Sequence, residues 1–130
     1  KNAGNTVLGN TMLDHNIMIG SQSKSVGSDG IAIGRGATSG ANSSISSVAI
    51  GTVSNVSGDF SVGLGPQTNV ANNYSVAIGF GATSTNDNQL VFGTVSQSLG
   101  DIATQTITPN KTWKVRINGA DYFIPLQDVP

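Results

Sequence analysis

The chain has 130 residues, the length of one domain, but only 10% of them are charged and 5% aromatic, while 17 are glycine. It therefore has few large side chains for a compact core, and it must bury surface by stacking small residues or by associating with other chains. A formal net charge of −1 argues against nucleic acid as a partner, and the absence of Cys excludes a disulfide framework and a thiolate metal site.

A five-residue unit that ends in glycine recurs through residues 1–93. It reads Ser-Val-Ala-Ile-Gly at 47–51 and again at 75–79, Ser-Val-Gly-Leu-Gly at 61–65, and looser copies end at Gly9, Gly20, Gly34 and Gly93. The steps between closing glycines are 11, 14, 17, 14, 14 and 14 residues. Val and Ile alternate with Ser and Ala, which predicts a strand with one bulky and one small face, and the glycine permits a sharp turn.

The linkers between these units repeat as well. Small residues recur three and five positions after each closing glycine, and Gly or Asn recurs seven positions after it, where we expect a turn with positive φ. Two short strands and two turns in 14 residues describe one coil of a β-solenoid and leave no room for a helix. The coil 34–51 is longer by three residues. Its expected loop is a tolerated surface loop or, alternatively, a binding loop, and it consists of Gly40, Ala41, Asn42 and Ser43.

Residues 9–93 resemble the head repeats of YadA-like trimeric autotransporter adhesins, most strictly at 47–51, 61–65 and 75–79. The resemblance implies a left-handed parallel β-roll, three copies of which pack around a common axis. A homotrimer also has a physical argument, because a thin coil with Val and Ile on one face and small residues on the other cannot bury both faces alone. The sequence leaves open whether the Val/Ile face or the small-residue face lines the trimer axis, and we favour the larger residues there.

Residues 94–130 leave the repeat and predict a different element. Two alternating runs, 113–117 and 122–126, flank Asn118-Gly119, which is a strong β-hairpin signal. A solenoid needs its open end covered, so we expect this hairpin to be a cap. The predicted fold is therefore all-β: a trimeric parallel β-roll or β-solenoid in 1–93, closed by a C-terminal β-hairpin cap in 94–130.

The end of the chain carries a second resemblance. Residues 116–126, which read RINGADYFIPL, resemble the C-terminal ends of some phage tail-fibre proteins. No heptad pattern follows the repeats, although YadA-like adhesins usually continue into a coiled-coil stalk. The two resemblances together imply the distal end of a trimeric fibre.

Catalytic and metal-binding patterns are not found. His15 is the single histidine, and it is either a surface residue or one of three copies that meet at a trimer axis to hold an ion. The seven acidic residues, all Asp, show no pair recurring in register, so glycosidase-type carboxylates are unsupported. We expect no enzymatic activity, no bound metal and no cofactor.

The candidate receptor-binding residues are aromatic or lie in the long coil. Phe60 and Tyr74 each lie nine residues after a closing glycine and should stack as a ladder, which Asn88 continues. They serve either ordinary packing or the docking of a sugar ring. Trp113 and Tyr122 are further candidates, with hairpin core as the alternative. Gly40, Ala41, Asn42 and Ser43 complete the set.

The sequence predicts attachment to a cell surface by the distal part of a homotrimeric extracellular fibre. The first hypothesis is a phage-like tail fibre tip; the others are a head fragment of a bacterial trimeric adhesin and a structural spacer without a ligand. The receptor would be a glycan or an outer-membrane protein, bound through three weak sites acting together. No apolar run approaches the roughly 20 residues that span a bilayer. The chain does not begin with Met, so we expect a fragment of a longer polypeptide on a virion tail or a bacterial cell surface.

Overall fold

The computed structural model describes residues 15–41, 45–97, 110–117 and 119–126. The chain divides into two compact units, residues 1–100 and 101–130. The described secondary structure consists of twelve β-strands. They are β1 (Ile17–Ile19), β2 (Lys24–Ser25), β3 (Ile31–Ile33), β4 (Thr38–Ser39), β5 (Val48–Ile50), β6 (Asn55–Val56), β7 (Val62–Leu64), β8 (Asn69–Val70), β9 (Val76–Ile78), β10 (Leu90–Phe92), β11 (Lys111–Ile117) and β12 (Ala120–Leu126).

The first unit is a parallel β-solenoid of coils about 14 residues long. Its three-residue strands form a six-stranded sheet in the order β1-β3-β5-β7-β9-β10, and its two-residue strands form a four-stranded sheet in the order β2-β4-β6-β8. The register advances by one repeat per coil, so Val62 pairs with Val48 on one side and Val76 on the other. The predicted solenoid with two strands per coil is confirmed. The strand predicted at residues 5–9 lies outside the described residues.

The interior of the central coils holds only small side chains. Ala49 and Ala77 enter it from the six-stranded sheet, and Val56, Val70 and Thr68 enter it from the opposite side, all of them buried. Among the described residues, every buried side-chain nitrogen or oxygen has a hydrogen-bond partner, as a dry interior requires. The small faces of the strands therefore line the interior of a single chain.

Hydroxyl groups link one coil to the next inside this interior. The Oγ atom of Ser54 and the Oγ1 atom of Thr68 are 2.6 Å apart, and the Oγ atom of Ser39 donates to that of Ser25 at 2.9 Å. Polar side chains thus fill a space that is too narrow for large apolar ones. Their hydrogen bonds are made with the residue at the same position of the next coil.

The closing glycines make the turn after each long strand possible, as predicted. Gly51 has a φ of 142°, and a Cβ built on it would overlap the carbonyl oxygen of Gly65 in the next coil. The position therefore requires both a backbone that L side chains rarely adopt and the absence of a side chain.

The prediction of positive φ seven residues after each closing glycine is wrong. Gly58 and Asn72 do not have positive φ. The left-handed residues instead follow the closing glycine by two, as at Val53 with φ 58°, or by nine, as at Phe60 with φ 52°. A Cβ on Gly58 would overlap the carbonyl oxygen of Asn72, so this glycine serves the close approach of two coils. A sequence pattern cannot separate these two uses of glycine.

The long coil keeps its register on both sides of the extra residues. The backbone N–H of Gly40 donates to Val56 O at 2.7 Å, and Ser46 N–H donates to Ser28 O at 2.9 Å. Ser28 and Ile45 form a parallel bridge. The three additional residues are thus confined to the segment between 40 and 45, where the sequence predicted them.

The second unit contains an antiparallel hairpin of β11 and β12, as predicted. Trp113 pairs with Ile124 and Val115 pairs with Tyr122, so these four positions share one face. On the other face the Lys114 Nζ atom lies 2.7 Å from Asp121 Oδ2. The turn residue Gly119 has a φ of 80°. The hairpin is confirmed as an element, and its role as a cap stays a prediction.

Candidate functional site

The outward side chains of the six-stranded sheet form a continuous apolar surface, here called the apolar face. Because the inward side chains are small, the bulky ones at the first and third position of each strand remain outside, either half-buried or exposed. They are Ile17, Ile19, Ile31, Ile33, Val48, Ile50, Val62, Leu64, Val76, Ile78, Leu90 and Phe92. Apolar surfaces of this extent are rare on soluble monomers and mark interaction sites.

The outward face of the four-stranded sheet is polar by contrast. Asn55 and Asn69 are exposed there, and Asn55 Nδ2 donates to Asn69 Oδ1 at 3.2 Å. Lys24 and Thr38 hold the same position in the two preceding coils. The solenoid is therefore two-sided, with one sheet suited to water and the other suited to a partner.

The predicted aromatic ladder is confirmed. The rings of Phe60 and Tyr74 are stacked with centroids 5.5 Å apart and planes 7° from parallel. Phe60 is 49% exposed and Tyr74 is 59% exposed, so neither ring is part of the core of this chain. Asn88 occupies the equivalent position in the next coil, and Asp29 and Ser46 occupy it in earlier coils. All three have positive φ.

A polar column runs directly beside this ladder. The backbone N–H of Ile45 donates to Asp59 Oδ1 at 3.1 Å, Asp59 N–H donates to Asn73 Oδ1 at 2.9 Å, and Asn73 N–H donates to Asp87 Oδ1 at 3.0 Å. Each side chain is thereby fixed in place against the coil before it. The six residues of the two columns are called the corner strip: Asp59, Phe60, Asn73, Tyr74, Asp87 and Asn88.

This polar column was not predicted from the sequence. No pair of acidic residues was expected to recur in register, but Asp59 and Asp87 occupy the same coil position two coils apart, with Asn73 between them. The signal was present as Asp, Asn and Asp at intervals of 14 residues, each directly before a ladder residue. Treating Asn and Asp as equivalent acceptors would have revealed it, since both place an oxygen at Oδ1.

His15 belongs to the same ladder position as Phe60. Its Nδ1 atom lies 3.2 Å from Asp29 Oδ1, and both side chains are exposed. A meeting of three copies of His15 at a trimer axis stays a prediction. Within the described residues, no group of three or more His, Asp or Glu side chains is close enough together to hold a metal ion.

The other candidate residues are placed as follows. Gly40 is buried with a φ of 79° and Ala41 is exposed, while Asn42 and Ser43 lie outside the described residues. Trp113 and Tyr122 lie in the second unit, and both are more than half exposed. In the part of the chain that the structure describes, no helix has the length and hydropathy needed to span a membrane.

The comparisons with known proteins agree with this geometry. The family model of the YadA head domain repeat, which comprises two copies of the repeat, matches residues 19–37, 43–68 and 57–82. A search of curated proteins gave no match. The matched ranges contain β3, β5, β7 and β9, and they do not reach the hairpin or residues 116–126, so the likeness of that segment to tail fibres has no support from the comparisons. Residues 19–37 and 43–82 of the solenoid therefore match YadA head domain repeats.

Proposed function

We propose that the chain is part of a homotrimeric extracellular fibre of the adhesin-head type that attaches to a cell surface. The observation that carries the proposal is the uncovered apolar face on a solenoid of YadA head repeats. YadA-like adhesins form homotrimers and are exposed at the cell surface, and this chain has the surface that such an assembly needs.

Covering the apolar face would stabilise an assembly of several chains. Twelve bulky side chains project from the six strands, and covering each of them contributes about 1 kcal/mol because each is already partly buried. This sum is comparable with the whole stability of a small domain. We therefore place the apolar face at the axis of the trimer, with the polar Asn55 and Asn69 positions towards solvent.

Attachment would come from weak sites repeated three times on one rigid body. Three linked contacts raise the apparent affinity far above that of one, provided that they engage the same surface together. The candidate contacts are the loop at 40–43, the corner strip, and the hairpin aromatics Trp113 and Tyr122. The receptor is a surface glycan or an outer-membrane protein, and the proposal includes no catalytic step.

A tail fibre tip is the second candidate. The observation that favours it is the hairpin of β11 and β12, which occupies the segment where the sequence resembles tail-fibre ends and where an adhesin head would continue towards a coiled-coil stalk. Both candidates share the trimeric solenoid, and they differ in the cell that is bound.

The native mass of the purified chain tests the assembly. We expect three chains at all dilutions for the wild type. We expect dissociation for Ile50→Asp, which places a charge on the apolar face, and an intact trimer for Asn55→Asp on the polar face as the matched control. A stable folded monomer, or equal dissociation by both variants, would contradict the proposal.

Cell binding by the trimer tests attachment and separates the candidates. Binding to animal cells or their matrix favours an adhesin head, and binding to bacteria favours a tail fibre tip. A stable trimer that binds neither would show a structural spacer and overturn the proposed attachment.

A further inference from the structure

We propose that the corner strip binds a neutral glycan, with Phe60 and Tyr74 as the stacking platform and Asp59, Asn73 and Asp87 as the hydrogen-bonding groups. This inference rests on the proposed function, because it names the receptor chemistry of a surface-attachment protein.

The fold itself does not require aromatic side chains at the ladder position. The ladder position has left-handed φ in every described coil, and Phe60 and Tyr74 adopt φ values of 52° and 54° there. Asn and Asp tolerate this conformation better than aromatic residues do, and Asp29 and Asn88 occupy it in other coils. Two neighbouring coils thus carry exposed rings at a position where smaller polar residues suit the backbone better.

Polar atoms with free hydrogen-bonding capacity lie beside the rings. Asp59, Asn73 and Asp87 each use Oδ1 to accept a backbone N–H from the preceding coil. Among the described residues, Oδ2 of Asp59 and Asp87 and Nδ2 of Asn73 have no hydrogen-bond partner. They are held rigidly next to an aromatic surface, so little conformational entropy is lost when they bind a ligand. An apolar surface edged by fixed acceptors and a donor complements a sugar, which has an apolar C–H face and a rim of hydroxyl groups.

The charge of the corner strip is negative. The corner strip carries two carboxylates and no cation, and the described basic residues of the solenoid, Lys24 and Arg35, lie at other coil positions. An anionic sugar, sialylated or sulfated, would meet like charge at this surface. The strip therefore favours neutral glycans and rejects anionic ones.

The decisive variants replace each ring by Asn, which tolerates the left-handed φ of the ladder position. Phe60→Asn and Tyr74→Asn put at these positions the residue already present at 88, so the left-handed turn is retained and misfolding is not expected. The matched control is Phe80→Thr, which removes an exposed ring from another corner of the solenoid, where Thr52 and Thr94 hold the same coil position.

The experiment measures binding of the trimer to an array of neutral, sialylated and sulfated oligosaccharides, followed by titration with the neutral oligosaccharide that binds best. We expect about tenfold weaker binding for each ring removed, which corresponds to about 1.4 kcal/mol, and unchanged binding for Phe80→Thr. The double variant Asp59→Asn with Asp87→Asn keeps the Oδ1 acceptors and removes both negative charges. We expect the ratio of the affinity for neutral oligosaccharides to the affinity for sialylated ones to fall by about tenfold.

Three results would overturn the inference. They are a wild-type trimer that binds no neutral glycan, glycan binding that survives loss of both rings, and loss of trimer stability without loss of glycan binding in the ring variants. The last result would assign the rings to a contact between subunits. The native mass and the cell-binding assay do not depend on the array, so the proposed function can stand while this inference fails.

Discussion

At the scale of single residues, the sizes of neighbouring side chains inside a coil are matched to one another in a way that the repeat alone does not show. The middle residue of the long strand is Ala in β3, β5 and β9 but Gly63 in β7. The buried residue five positions later is Ala37, Ser54 or Ala82 after those alanines, and it is the larger Thr68 after Gly63. A Cβ on Gly63 would lie 2.8 Å from Thr68 Oγ1 and 2.7 Å from a methyl group of Val56. Gly63 therefore makes room for Thr68.

The consensus substitution Gly63→Ala should for this reason destabilise the protein. The added methyl overpacks a filled interior, which typically costs about 1–3 kcal/mol, and Thr68 cannot move freely because its hydroxyl contacts Ser54 Oγ at 2.6 Å. The measurement is the free energy of unfolding of Gly63→Ala in the wild type and in Thr68→Ala, which reproduces the pair Ala77 and Ala82. The added methyl should cost at least about 1 kcal/mol less in the second background. Equal costs in the two backgrounds would show that Thr68 is not the constraint.

At the scale of secondary-structure elements, periodicity predicted the strands well and the turns poorly. Strands of two or three residues are too short to be stable alone, and they persist because each pairs with its equivalents in neighbouring coils. The 14-residue recurrence that predicts these strands is the same feature that stabilises them. Turn conformation depends instead on local contacts between coils. For this reason the positive φ predicted for Gly58 was wrong, and no feature of the sequence indicated that Val53 would be left-handed.

The long coil gives an element-scale prediction. Deleting residues 41–43 should restore a 14-residue coil and change the free energy of unfolding by no more than about 0.5 kcal/mol, because the register is already set by Gly40 on one side and Ile45 on the other. Thermal denaturation of the deletion variant measures this. A matched deletion of residues 55–57, which removes β6 and breaks the register, should abolish cooperative unfolding. If both deletions unfold the protein, the long coil is not a simple insertion.

The same deletion separates the two interpretations of the loop. A trimer that keeps its stability but loses cell binding would identify residues 41–43 as a receptor contact. A trimer that keeps both would identify a tolerated surface loop and direct attention to the corner strip.

At the scale of the whole molecule, alternation in the sequence revealed two faces but not which of them is enclosed. A period of two assigns Val62 and Gly63 to opposite sides of one strand and says nothing about the width of the coil. The structure shows that the coil is narrow, because the side chains that fill the space between the two sheets, such as Ala49 and Val56, are small and fully buried. The apolar face could thus be recognised from sequence, whereas its outward position needed the structure. The hairpin was predictable because its signals are local, in Asn118-Gly119 and the alternating runs on each side.

The predicted role of the hairpin as a cap has a measurable consequence. Strand β10 ends the order of the six-stranded sheet, so it is an edge strand among the described residues, and its outward side chains Leu90 and Phe92 are apolar. An uncovered strand end with apolar side chains promotes association between edges. Truncation after residue 100 should therefore increase light scattering and lower the melting temperature by roughly 5 °C, equivalent to about 1 kcal/mol.

Two variants of the full-length chain are the matched controls for this truncation. Trp113→Ser with Ile124→Ser alters the face that these two positions share and should reproduce the truncation. Lys114→Ser alters the opposite face, where Lys114 pairs with Asp121, and should leave solubility and melting temperature unchanged. A truncated chain that is as soluble and as stable as the full chain would show that the solenoid needs no cap, and the hairpin would then be a separate functional element rather than the closure of the repeat region.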